Sequence, residues 1–157
     1  MEPFKVLFVC WGNICRSPAA HCVFQHKIKE RGLESRISCD SAGTMGMHAG
    51  DPPDRRMQQA GARRGISFFG RSRKFTGADF TEFDLILAMD KKNLADLHAG
   101  MPRTTTKAEI RLFGHFVDDR KTPEVPDPYY GGDQGFEKVL DMVEMGCERL
   151  IDHILAR

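Results

Sequence analysis

No stretch of the chain stays apolar long enough to form a signal peptide or a membrane span, so a soluble, cytoplasmic protein with no membrane partner is expected. Charge of one sign is also missing. The formal net charge is +1, and the basic residues are spread along the chain apart from Arg71-Ser72-Arg73-Lys74, which reads as a solvated face. Nothing here favours a nucleic-acid partner. The five cysteines contain no CxxC pair and no regular spacing, which argues against a disulfide framework and against a zinc site. No metal or cofactor is called for. No internal repeat, low-complexity tract or linker divides the sequence, and 157 residues with 41% apolar content suit one domain over 1–157 with a sizeable core.

What is present alternates. Phe4 to Val9, Arg36 to Asp40, Asp84 to Ala88 and Lys107 to Phe113 read as strands, while Asp54 to Gly65, Asp90 to His98 and Phe136 to Ala156 carry helical periodicity. In the last, Phe136, Val139, Leu140, Val143, Cys147, Leu150, Ile151, Ile154 and Leu155 form an apolar stripe fit to pack on a sheet. The order predicts an α/β fold: an open, mostly parallel four-stranded sheet with helices on both faces, binding its ligand beyond the strands' carboxyl ends. Arg120 to Gly132 is the longest stretch with loop character.

The first strand ends in chemistry. Phe8-Val9-Cys10-Trp11-Gly12-Asn13-Ile14-Cys15-Arg16-Ser17-Pro18 runs from an apolar strand through a cysteine to an arginine six positions on, at a helix start. Ser17 is a good N-cap and Pro18 suits the first helical position. Ala20, Val23, Phe24, Lys27 and Ile28 then recur at helical spacing. Trp11 to Ser17 therefore forms a candidate phosphate-binding loop, where unpaired N–H groups and the helix dipole converge on an anion. The same field favours the thiolate of Cys10, while Gly12 and Asn13 tolerate a tight or left-handed turn. Arg16 offers a planar fork for two phosphoryl oxygens, and the Ser17 hydroxyl is placed to cap the helix and to hydrogen-bond the sulfur. The Cys-x5-Arg spacing alone is weak, because inert buried cysteines are common; the flanking Gly, Asn, Ser and Pro make it specific.

A thiolate that attacks phosphorus must expel an alkoxide or phenoxide, which an acid greatly eases. Asp127 is the candidate: Pro126 and Pro128 bracket it and limit its backbone. It would then act as base toward water when the cysteinyl-phosphate hydrolyses.

With these residues in place the chain resembles the low-molecular-weight protein tyrosine phosphatases, whose signature is Cys-x5-Arg-Ser near the N-terminus and Asp-Pro near the C-terminus. The resemblance continues through Asp40-Ser41-Ala42-Gly43-Thr44, Gly50-Asp51-Pro52-Pro53-Asp54, Phe83 to Asp90, Asn93-Leu94 and Pro126-Asp127-Pro128-Tyr129-Tyr130, in order over nearly the whole chain. It implies a metal-independent phosphatase of phosphotyrosine proteins and aryl phosphates, inhibited by phosphate or vanadate, with a monomer expected. It also implies that Asn13 supports the loop with Ser17, Ser41 and Asp90 as neighbours, and that Tyr129 and Tyr130, which could line the cleft or simply pack, are open to phosphorylation. Read alone, Ser41 could simply end a strand and Asp90 cap a helix.

Three departures bear on substrate. Met47 stands where many members carry an aromatic residue, Trp11 follows the nucleophile where a smaller side chain is usual, and Gly70 replaces a histidine of a His-x-x-Arg pattern. Trp11 and Met47 are thus expected in the substrate cleft, and the support of Asn13 is expected to differ. Cys15 could form a reversible disulfide with Cys10 or simply pack. Among rivals, an arsenate reductase of this fold would need two further central cysteines, and none lies between Cys39 and Cys147. Protein arginine phosphatases tend to carry threonine where Ile14 stands, and a non-catalytic phosphate-binding module would more naturally lack Cys10 or Asp127.

Overall fold

The computed structural model of the chain describes residues 2–129 and 132–157. Four strands, β1 (Phe4–Cys10), β2 (Ile37–Gly43), β3 (Leu85–Ala88) and β4 (Glu109–Leu112), pair in the order β2-β1-β3-β4, all parallel. In register, Val6 faces Cys39 on one side and Leu85 on the other. The helices are α1 (Arg16–Glu30), α2 (Arg55–Ala62), α4 (Lys91–Ala99) and α6 (Asp133–Leu155), with single turns α3 (Asp79–Glu82) and α5 (Gly114–Val117). The two single turns escape periodicity because four residues cannot express it.

β1 lies between two neighbours and under helices on both sides, which is why it reads as an unbroken apolar run. Val6 and Phe8 face a core built with Phe24 and Ile28 of α1, Met57 of α2 and the α6 stripe. Leu7 and Val9 face a smaller core with Phe80, Ile86, Ala88 and Leu97. Phe8 sits edge-on to Phe24 at 5.4 Å and to Phe113 at 6.0 Å, fixing the strand against α1.

The chain leaves β1 toward β2 on one side and later returns to β3 on the other. This reversal opens a crevice at the carboxyl ends of β1 and β3, the usual ligand site of such sheets. Cys10 ends β1, and Asp90 follows β3 within two residues.

Candidate functional site

The loop after β1 is shaped by a few backbone demands. Asn13 takes φ 56°, the left-handed conformation that asparagine tolerates better than most side chains. Gly43 lies so close that an added Cβ would stand 2.8 Å from Trp11 O and 3.0 Å from Met45 O. Helix α1 begins two residues earlier than its capping pattern predicts. Cys15, not Ser17, is the N-cap, no side chain caps it, and Pro18 is the third helical residue. Ser17 is diverted to Cys10: its Oγ lies 3.0 Å from Cys10 Sγ, accepts from Asn13 Nδ2 at 2.8 Å and reaches Ala42 O at 3.3 Å. Asn13 N–H donates to the same sulfur at 3.2 Å.

Arg16 is 3% exposed, and its Nη1 donates to Asp90 Oδ2 at 2.7 Å and to Val125 O at 3.0 Å. Burial works against its charge, but the Cys10 sulfur, Asp90 and Asp127 outweigh that and push the guanidinium above its ordinary value. Its Nη2 stands 3.7 Å from Asp127 Oδ2, a carboxylate whose side chain is 43% exposed. Asp127 Oδ1 accepts from Tyr129 N–H at 3.0 Å, a local turn that orients the carboxylate. Val125 is fully buried and donates its N–H to Met89 O at 2.9 Å, so the loop that carries Asp127 is tied to the end of β3.

These groups meet in a cavity of about 240 Å³, lined by Cys10, Trp11, Gly12, Ile14, Cys15, Arg16, Met47, His48, Asp127 and Tyr129. Asn13 and Ser17, expected against the phosphate, are not on its wall, because their side chains are spent behind the sulfur. Ser41 is not a partner of Asn13; its hydroxyl pairs with His21 Nδ1 at 3.1 Å. Asp90 supports Arg16 rather than Asn13, and it also caps α4 by accepting from Asn93 N–H at 2.7 Å. Tyr130 lies outside the described residues. Cys15 opens on the same cavity as Cys10, and desolvation first, then Asp54, pushes its thiol far above the ordinary range.

Four contributors were not legible as such. His48 lies between the rings of Trp11, edge-on at 6.4 Å, and Tyr129, tilted at 6.5 Å, making a continuous aromatic wall. Arg56 holds that wall, donating to Tyr129 O at 3.0 Å with its guanidinium 5.5 Å from the tyrosine ring. Ser72 Oγ donates to Gly12 O at 2.9 Å, and Arg73 N–H donates to Asn13 Oδ1 at 3.0 Å. The residues that brace the loop therefore do come from the 70s segment, but through a backbone group and a serine. Only proximity in the fold reveals this, since sixty residues separate the partners.

The sequence profile of the low molecular weight phosphotyrosine protein phosphatases matches residues 5–157. The chain belongs to this family. A low molecular weight protein-tyrosine-phosphatase of Bacillus subtilis is 43% identical over 153 residues, covering 96% of this chain and 95% of the relative. The crystal structure of a protein tyrosine phosphatase from Entamoeba histolytica, with Hepes in its active site, superposes with TM-score 0.91 at 43% identity, covering 98% of this chain and 97% of that one. A Drosophila arginine phosphatase superposes with TM-score 0.89 at 33% identity, covering 96% and 97%. The four-stranded parallel sheet is thus the family's fold.

Proposed function

We propose that this member of the family hydrolyses phosphotyrosine in proteins, and aryl phosphates generally, through a cysteinyl-phosphate. The observation that supports it most is the meeting of Cys10 Sγ, the buried Arg16 guanidinium and the Asp127 carboxylate around one cavity. Asp90 and Val125 O hold one edge of Arg16, which leaves the Nη2 edge to face a phosphoryl group. The N–H groups of the loop and of the first turn of α1 complete an anion cradle.

The Cys10 thiolate attacks phosphorus in line, forming the S–P bond as the P–O bond to tyrosine breaks. Asp127 passes its proton to the departing phenolic oxygen and becomes a carboxylate. A water then attacks the cysteinyl-phosphate while Asp127 takes its proton, and inorganic phosphate leaves with the thiolate restored. Arg16 and the loop amides hold the charge on the equatorial oxygens through both steps. Phosphate and vanadate, which fit the same cradle, compete with substrate.

The aromatic wall of Trp11, His48 and Tyr129, together with Met47, favours a phenyl ring over a small alkyl group. Ile14 on the same lining adds apolar surface, which disfavours a phosphorylated guanidinium. The free cysteines, with a nucleophile among them, support a reducing compartment such as the cytoplasm. The test is hydrolysis of phosphotyrosyl peptide, phosphoarginine and para-nitrophenyl phosphate, with EDTA and reductant present, by the native chain and by Cys10→Ser. Phosphotyrosine turnover that Cys10→Ser abolishes supports the proposal; preference for phosphoarginine, or activity surviving in Cys10→Ser, overturns it.

A further inference from the structure

The Asn13 side-chain amide has two orientations related by a half-turn, and only one leaves a proton for the sulfur. Asn13 Oδ1 accepts from Arg73 N–H at 3.0 Å while Nδ2 donates to Ser17 Oγ at 2.8 Å. A backbone N–H can only donate, so it fixes which end of the amide is oxygen. Ser17 Oγ then already accepts, and its own proton is directed outward, to Cys10 Sγ at 3.0 Å or Ala42 O at 3.3 Å. A negatively charged sulfur is the stronger acceptor of the two. With the amide reversed, Ser17 would donate to Asn13 and the sulfur would lose a partner.

The N–H of residue 73 is held from several sides. Gly43 N–H donates to Arg73 O at 2.8 Å, and the next residue, Lys74, bridges Gly43 in parallel at the end of β2. The Arg73 guanidinium reaches Asp40 Oδ2 of β2 at 3.1 Å and both carboxylate oxygens of Asp79 at the start of α3, each at 3.1 Å. Asp79 is itself buried, and its Oδ2 also accepts from Thr76 N–H at 2.8 Å. This brace lies behind the loop, away from the cavity lining.

We infer that Arg73 is a positioning residue for the nucleophile: pinned by Asp40 and Asp79, its N–H orients the Asn13 amide, which aims the Ser17 hydroxyl at Cys10. The inference rests on the reading of Cys10 as the nucleophile. Because Arg16 and the loop amides still bind phosphate, the loss of the brace falls on kcat and not on KM.

The experiment is steady-state hydrolysis of para-nitrophenyl phosphate by Arg73→Met, Arg73→Lys, Asn13→Ala and the double variant Asn13→Ala/Arg73→Met, with Cys10→Ser as control. Arg73→Met is expected to lower kcat by about tenfold to a hundredfold with KM nearly unchanged. Arg73→Lys, which keeps the charge without the fork, recovers part of it. The double variant should be no slower than Asn13→Ala alone, since both act through one amide. Native kcat in Arg73→Met, or losses that multiply in the double variant, overturns the inference; activity in Cys10→Ser overturns the underlying reading instead. Should Arg73→Met fail to fold, the isosteric Asp40→Asn carries the same comparison, again as a cycle with Asn13→Ala.

Discussion

Asp90 performs two tasks whose separation tests the reasoning about Arg16. Its Oδ1 accepts from Asn93 N–H at 2.7 Å and caps α4, while its Oδ2 accepts from Arg16 at 2.7 Å and neutralises a cation that is 3% exposed. Asparagine caps a helix about as well as aspartate, so Asp90→Asn removes the charge and spares the cap. Losing a charge-assisted hydrogen bond to a buried cation costs about 1.5–3 kcal/mol, at the lower end here because Val125 O and Asp127 also face Arg16. Asp90→Ala adds the cap, about 1 kcal/mol more. For a chain of this size each kcal/mol is about 2–4 °C in Tm. In activity the two variants should coincide, each losing about tenfold to a hundredfold in kcat/KM as Arg16 drifts from its line to phosphorus. Urea titration and para-nitrophenyl phosphate kinetics on the same preparations decide it. If Asp90→Asn retained native kcat/KM while Asp90→Ala lost only stability, Asp90 would be a cap and nothing more.

Other perturbations probe other parts. Trp11→Ala should raise KM for aryl phosphates by about two- to tenfold, the worth of one aromatic contact, and leave small alkyl phosphates unaffected; equal KM for both would remove Trp11 from the cleft wall. Gly43→Ala places a Cβ 2.8 Å from Trp11 O, a backbone atom that must move, so kcat should fall by about tenfold or more; native kcat would show that the loop tolerates displacement. Burial against Phe69 pushes the His21 imidazole below its ordinary value, Asp40 draws it partly back and Arg73 lowers it further. A histidine so depressed binds its proton more readily in the unfolded chain, so its stability contribution is present above about pH 6.5 and is lost as pH falls through the lower folded value. His21→Gln should flatten the decline of Tm on that side; an unchanged slope would contradict it.

The parts of this molecule that read directly from sequence are those whose signal is local. The β1 run, the α6 stripe, the Cys10 to Arg16 loop and the Asp127 loop each carry their pattern in one continuous stretch of sequence, and each stands where expected. The start of α1 departs from its capping pattern because Ser17 has the residue type of a cap but is engaged by Cys10 and Asn13. Asp90 carried a cap signature that was correct, yet its bond to Arg16 spans 74 residues and has no local trace. Gly70 in place of the histidine implies a different support for Asn13, and Arg73 supplies it through a backbone N–H, a group no residue type advertises. His48 illustrates the same limit, since it follows Met47 in the chain but becomes part of the cleft only when the loop after β1 and the 120s loop bring Trp11 and Tyr129 to its two sides.

The central claim is that Cys10 carries the phosphoryl group and that Asp127 serves both steps. Para-nitrophenolate leaves without help from an acid, so in Asp127→Ala the first step stays fast and the second, which needs the base, becomes slow. Rapid mixing of Asp127→Ala with para-nitrophenyl phosphate should therefore give a burst of nitrophenolate equal to the enzyme concentration, and mass spectrometry of the acid-quenched protein should find one phosphoryl group on Cys10. Absence of the burst, or a phosphoryl group on any residue other than Cys10, would contradict the account.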